Sequence, residues 1–265
     1  NDLEISMWKS GIPSVCGMGS TDEDLTHLHG VWSQEGFHNL AEADISGWDW
    51  SIQAWELECD ADRRSYLYGG GPLLKRLIRN THHIMANKVF QLSNGDCIAQ
   101  LESGILPSGW YCTTSTNSYM RALTAELVGA KFYRVLGDDS VESFVPDAAK
   151  KYMDLGHTVK MYNRCSESVE FCSRRWTPTV ALAPLVSWPR TLYRLLCQLP
   201  SADFYEQFCY ELRHNGVLTD VRSVLLSVGW LGQINEERIT NSEDASQNQS
   251  GEAPVPKGQG AEPKL

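Results

Sequence analysis

Close cysteine pairs are missing from this sequence. The eight cysteines, at positions 16, 59, 97, 112, 165, 172, 197 and 209, are scattered, with no two at Cys-x-x-Cys spacing. A structural zinc site wants two ligands from one turn, and a disulfide framework belongs mainly to short secreted chains. The pattern predicts free, mostly buried thiols in a reducing compartment. No run approaches the roughly 18–20 apolar residues of a membrane-spanning helix, and no signal-peptide pattern opens the chain. Basic charge is scarce as well. Against 33 Asp and Glu there are 23 Lys and Arg, and the 265 residues carry a net charge of −10. Taken alone, that balance argues against a surface that grips nucleic-acid phosphates. The segment ahead of Asp44 holds a single lysine, Lys9, and no arginine. Residues 241–265 contain no aromatic side chain and one leucine, at the very end. Such a segment buries too little apolar area to offset its ordering entropy.

What remains is an ordinary globular composition, 42% hydrophobic and 21% charged, long enough for a sizeable core and free of internal repeats. Helix and strand signals alternate. Ser20 and Glu23 have capping-box spacing ahead of Leu25, Leu28 and Val31. Residues 40–46 read as a short strand, followed by helical stretches near 52–65 and 73–86. Val89–Leu92 and Cys97–Leu101 flank an Asn94-Gly95 hairpin signal. A helix over 113–129 leads to a second hairpin, Phe132–Leu136 and Ser140–Val145, closed at Gly137-Asp138-Asp139. Pro146 opens a helix to about Leu155, and His157–Met161 is strand-like. Beyond Trp188-Pro189 the pattern is helical to about Leu231. This order predicts an α+β core with a helical C-terminal subdomain.

Two acidic clusters carry the chemistry. One is Asp44-Ile45-Ser46-Gly47-Trp48-Asp49 and the other Gly137-Asp138-Asp139, each at a strand end. Side-by-side strands would bring Asp44 and Asp138 together, and their mutual repulsion would then call for divalent cations. Two Mg²⁺ ions bridged by aspartates are the standard apparatus of in-line phosphoryl transfer. Each cluster alone also reads as a turn or an N-cap. Between them lies Pro107 to Ser118, a Gly-Ser loop running into a polar helix start. Other features point to structure. His82-His83 has no Cys or carboxylate at ligand spacing, and Gly69-Gly70-Gly71-Pro72 lacks the Lys-Ser/Thr of a phosphate loop. Most tryptophans read as core. Trp48 and Trp110 flank the clusters, where base stacking competes with packing.

In order, Asp-x4-Asp, Ser-Gly-x3-Thr-x3-Asn-Ser and Gly-Asp-Asp resemble motifs A, B and C of the palm of viral RNA-dependent RNA polymerases. The words DISGWDWSIQAWELECD, SGWYCTTSTNS, GDDSVESF, LGHTVKMY, VEFCSRRW and SWPRTLYRLL are similar to polymerases of the sobemovirus group and, less closely, the poleroviruses. The likeness covers about residues 40–200.

The resemblance implies a palm-type fold: an antiparallel sheet with partial fingers and a helical thumb. It implies a fingers and palm lead-in over 1–40, a palm with inserted fingers helices over 41–182 and a thumb over 183–235; the tail over 236–265 carries none of the resemblance and is expected to be disordered from its composition. Asp44 and Asp138, with Asp139 beside them, would bind two Mg²⁺ ions, with Mn²⁺ as the alternative. Asp49 and Asn117, helped by Ser108, Gly109 and Thr113, would read the ribose 2′-OH and favour NTP over dNTP. Lys160, with Arg164 as rival, would protonate the leaving pyrophosphate, and an exposed strand lysine is the bland alternative. Arg174 and Arg175 resemble a primer-supporting hairpin that contacts phosphates.

The implied partners are template and nascent RNA, NTPs and a genome-linked protein primer, in replication complexes of the host cytoplasm. Relatives carry a basic fingers segment ahead of the first motif, so the chain reads as a C-terminal portion of a larger polymerase. The acidic balance then marks the missing part. Three other readings stand beside this one: a catalytically silent RNA-binding fragment, a reverse transcriptase and, more distantly, a two-metal nuclease.

Overall fold

In the structure, a computed structural model that describes residues 2–234, segments far apart in sequence assemble into one four-stranded antiparallel sheet. Its strands are β1 (Leu40–Ile45), β4 (Tyr133–Leu136), β5 (Asp139–Ser143) and β6 (Val159–Arg164), in the order β4-β5-β1-β6. β1 is an inner strand. It pairs with β5 from Leu40↔Ser143 to Glu42↔Val141 and with β6 from Ala41↔Arg164 to Ile45↔Val159. Leu40, Ala41, Ala43 and Ile45 are accordingly buried, while Glu42 and Asp44 keep partial exposure. β4 and β5 form the hairpin expected around Gly137. Leu136 pairs with Asp139 across a two-residue loop whose Gly137 has φ 62°, a left-handed conformation in which a Cβ would be strained.

Helices form near the stretches read at 52–65, 73–86 and 113–129. The one expected from Pro146 begins at Ala148 after left-handed Asp147, and the short helices Asp2–Met7 and Trp48–Ser51 lie outside the expected stretches. In the same compact unit as the sheet are α1 (Asp2–Met7), α3 (Trp48–Ser51), α4 (Ala54–Leu67), α5 (Pro72–Ala86), α6 (Thr113–Val128) and α7 (Ala148–Asp154). The Glu56 carboxylate accepts the Gln53 N–H at 2.7 Å to start α4, Pro72 opens α5, and left-handed Gly129 ends α6. Between α5 and α6 lies the expected hairpin of β2 (Val89–Gln91) and β3 (Cys97–Ala99). The core gathers Ile45, Trp48, Ile52, Leu57, Met120 and Tyr152. This unit takes Asn1–Met18 and Glu35–Cys172, and ends after β7 (Val169–Phe171).

Among the described residues, a second unit comprises Gly19–Gln34 and residues 173–234. It holds α2 (Asp22–Glu35), β8 (Arg174–Trp176), α8 (Trp188–Leu196), α9 (Ala202–Leu212) and α10 (Leu218–Ser227), with a core of Tyr205, Phe208, Leu212, Leu225 and Trp230. Along the chain the second unit takes over at Ser173. It also draws in α2, because Trp176 donates its indole N–H to the Leu25 carbonyl at 3.1 Å and meets Trp32 edge-on at 6.2 Å.

Two local expectations are corrected. The cap of α2 is Thr21, whose hydroxyl accepts the Asp24 N–H at 3.1 Å, and not Ser20, which sits at φ 57°. All eight thiols are free, but only Cys16, Cys165 and Cys209 are buried. The exposed Cys97 belongs to the β2–β3 hairpin, whose strands carry no core face. Among the described residues no helix is long and apolar enough to cross a membrane. The tail expected to be disordered lies outside the described residues.

Candidate active site

The acidic clusters meet at one end of the sheet. Continuing the β1–β5 register past Glu42↔Val141 sets Asp44 across from Asp139, next to Asp138 in the hairpin turn. Their proximity is written in the electrostatics. The Asp139 carboxyl keeps exposed surface, yet its pKa is pushed up to about 6 by lost solvation and then by the charge of Asp138. Asp44 and Glu170 push in the same direction, and the Cys172 thiol, which donates to the carboxylate, partly opposes them. Like charges held this close favour protonation or a cation. Among the described residues no three His, Cys, Asp or Glu side chains stand close enough to enclose a metal ion. The donors are nonetheless the hard carboxylate oxygens that Mg²⁺ and Mn²⁺ prefer.

Lys160 is the cation already there. β6 slips by one residue against β1, pairing Asp44 with Met161 and Ile45 with Val159, so Lys160 is the extra residue of a bulge. Its Nζ reaches Asp44 Oδ2 at 2.7 Å, and that carboxylate holds the ammonium above the usual lysine pKa. Arg164, the rival, donates instead to the His38 carbonyl at 2.8 Å and lies over the Phe144 ring.

The two residues expected to read the ribose, Asp49 and Asn117, are also brought together. Left-handed Gly47 turns the chain out of β1 into α3, which carries Asp49. Asn117, in the second turn of α6, donates its Nδ2–H to Asp49 Oδ1 at 2.7 Å. Its own Oδ1 accepts the Trp48 indole N–H at 3.1 Å, which fixes the amide orientation. Trp48 is buried, with the His157 ring tilted against it at 4.7 Å between centroids and the Arg121 guanidinium 5.1 Å from its ring, and so has no face for a base. Thr113 does not point at Asp49. Its hydroxyl is directed to the Pro107 and Trp110 carbonyls at 2.8 and 2.7 Å and so shapes the loop. Ser108 and Gly109 sit exposed on that loop.

Behind the loop is a buried network that the sequence reading did not contain. Asp60 accepts from Arg64 at 2.8 Å, from Thr116 at 2.7 Å and from His82 at 3.1 Å, and Arg63 donates to its other oxygen at 2.7 Å. Arg64 also reaches Ser115. His82 is therefore an internal tie between helices. Only the identical spacing Asp60-x3-Arg64, one helical turn, hinted at this pairing.

In the second unit Arg174 is enclosed. Its guanidinium donates to the Ala183 carbonyl at 2.9 Å and lies near that of Glu211, so of the expected primer-contacting pair only Arg175 is at the surface.

The order of these elements is a signature that can be compared with known proteins. Residues 30–188, which include every candidate from Asp44 to Arg175, match the model of the family described as Viral RNA-directed RNA-polymerase. The chain belongs to that family. Among relatives, the replicase polyprotein P2AB of Southern cowpea mosaic virus is 44% identical over 211 residues, 74% of this chain but 21% of that protein. The RNA-directed RNA polymerase of Mushroom bacilliform virus is 34% identical, over 81% of this chain and 55% of its own. The chain thus spans about a fifth to a half of the relatives it matches. In fold it is similar to the RNA-dependent RNA polymerase of a human picorbirnavirus, with a TM-score of 0.65 and 12% identity, covering 92% of this chain and 50% of that one. The palm-type α+β architecture of the family is the one described above.

Proposed function

We propose that this chain carries the palm active site of an RNA-directed RNA polymerase, moving a nucleotidyl group from an NTP to an RNA 3′-OH under a template. The observation that carries the reading is the joint placement of two things. The sheet end sets Asp44 against Asp138 and Asp139, and α6 sets Asn117 on Asp49. Asp44 and Asp138, with Asp139 beside them, are the residues that would hold two Mg²⁺ or Mn²⁺ ions. The chemistry such ions supply is Lewis-acid activation of the attacking hydroxyl and charge neutralisation at the leaving pyrophosphate.

The protein does the rest by positioning. The Asp49–Asn117 pair offers the ribose 2′-OH a carboxylate acceptor and an amide, both left short of a partner by a deoxyribose, and so favours NTP. Lys160 Nζ, released from Asp44, delivers a proton to the pyrophosphate oxygen. Arg175 contacts phosphates of the primer strand, whereas Arg174 holds its own unit together. Template and nascent RNA, NTPs and a genome-linked protein primer are the partners of this reading, and its setting is the replication complex of the host cytoplasm.

The test uses the polymerase polypeptide that contains this chain. Asp44→Ala and Asp138→Ala should each lose at least about a thousandfold in Mg²⁺-dependent NTP incorporation on an RNA template, with the fold intact by circular dichroism. Near-normal incorporation by either variant would remove the assignment. RNA binding without any incorporation by the unsubstituted protein would favour the silent RNA-binding alternative.

A further inference from the structure

The aspartates are brought together by strands whose pairing stops short of them. The β1–β5 ladder ends at Glu42↔Val141, so no strand hydrogen bond ties Asp44 to the Gly137-Asp138 turn. A side chain from α6 spans that gap. Arg121, fully buried, donates Nη2–H to the Ala43 carbonyl at 3.2 Å and Nε–H to the Asp138 carbonyl at 3.3 Å. The first acceptor belongs to the peptide that joins Ala43 to Asp44, and the second to the peptide that joins Asp138 to Asp139. Nη1 takes a third direction, to the Tyr152 hydroxyl at 3.2 Å, and that hydroxyl donates to the buried Glu142 carboxylate at 2.6 Å. The Trp48 and Tyr152 rings lie 5.1 and 5.3 Å from the guanidinium.

One turn earlier on α6, Ser118 holds the same hairpin from its other residue. Its Oγ accepts the Gly137 N–H at 2.8 Å while donating to the Thr114 carbonyl at 2.7 Å. Both residues of the two-residue turn are therefore fastened by side chains of one helix. That helix also carries Asn117, and the ribose-reading face and the turn share one rigid support.

We infer that Arg121 and Ser118 are positioning residues for the divalent-cation site, fixing the spacing of Asp44 from Asp138 and Asp139 without touching substrate or ion. The inference rests on the polymerase reading above. A buried cation is costly to solvate inside a protein, and a single acceptor would not compensate it. Three acceptors on three elements match the planar fork of a guanidinium, and no other side chain presents donors in those directions. Outer-shell groups of this kind typically set metal affinity and activity within about 10- to 100-fold.

Direct binding of Mn²⁺ to this chain, read by the electron paramagnetic resonance of free Mn²⁺, tests the inference without recourse to activity. Arg121→Lys keeps the charge but cannot reach both carbonyls, and should weaken Asp138-dependent Mn²⁺ binding about tenfold. Ser118→Ala should weaken it about threefold, with a cooperative thermal melt retained. In the polymerase polypeptide kcat should fall by a similar factor while KM for NTP stays within about twofold, a split expected when the reacting centre is misplaced and binding is not. If both variants fold and bind Mn²⁺ as the wild type does, while Asp138→Ala abolishes binding, the inference is overturned and the polymerase reading stands. If the wild type shows no Asp138-dependent binding, both are overturned. If Arg121→Lys does not fold, Ser118→Ala decides.

Discussion

Asp139 shows at the level of one residue how the acidic end of the sheet is loaded. Its carboxyl has a pKa of about 6 against an ordinary 3.8. The folded protein thus ionises it less willingly than the unfolded chain does, and stability falls as pH rises from about 4 to about 6. Above that range the repulsion with Asp138 and Asp44 is fully present. Asp139→Asn should accordingly raise the melting temperature in chelator at neutral pH by about 2–4 °C, the shift that roughly 1 kcal/mol gives a chain of this size. The gain should vanish toward pH 4. Mg²⁺, which stabilises whatever state binds it, should raise the wild-type midpoint more than that of the variant. A lower midpoint for Asp139→Asn in chelator would show that lost solvation and repulsion together do not destabilise the ionised carboxyl. The acidic residues were legible in the sequence, but the environment of each was not. Asp60, with no exposed surface and four donors, looked like any other acid in a helical stretch.

At the scale of elements, α4, α5 and α6 are joined through Asp60 more than through apolar contact at that point. The His82 and Thr116 hydrogen bonds and the charges of Arg64 and Arg63 outweigh the cost of burying the carboxylate and hold its pKa far below the usual range. A depressed pKa contributes stability above the unfolded value and loses it as pH falls. Asp60→Asn leaves Arg64 buried without its counter-charge and should cost about 3 kcal/mol near neutrality. The difference from wild type should shrink below about pH 4, where the unfolded chain's carboxylate takes up a proton while the folded one stays ionised. Urea midpoints at pH 7 and pH 3 measure this, and an equal difference at both would deny Asp60 its charge. The helices and both hairpins were readable because caps, turn residues and periodicity are local. The bulge at Lys160 was not, since it exists only as a register slip between β1 and β6. For the same reason local spacing could not say that Lys160, and not Arg164, meets Asp44.

For the whole molecule, the described residues divide into two units, each with its own core. The assignment of α2 to the second rests on Trp32 and Leu25 against Trp176. Truncating a fully buried tryptophan leaves a cavity, so Trp32→Ala should destabilise that unit by about 3–5 kcal/mol. Hydrogen exchange should show the loss in the amides of α9 and α10. Unchanged protection there would place α2 outside their core.

The sequence alone determined the chemistry on offer: two acidic clusters, an Asn-bearing helix start, and their order along the chain. These are local, and the resemblance to a polymerase family could be stated from them. Tertiary structure decided which of those groups work together. Lys160 was set on Asp44, Arg174 was turned inward, Trp48 was made a hydrogen-bond donor to Asn117, and Arg121 was threaded between the peptides of Asp44 and Asp138. Each of these is a contact across many residues of chain. Such contacts follow from strand order, register and helix packing, which no local spacing encodes.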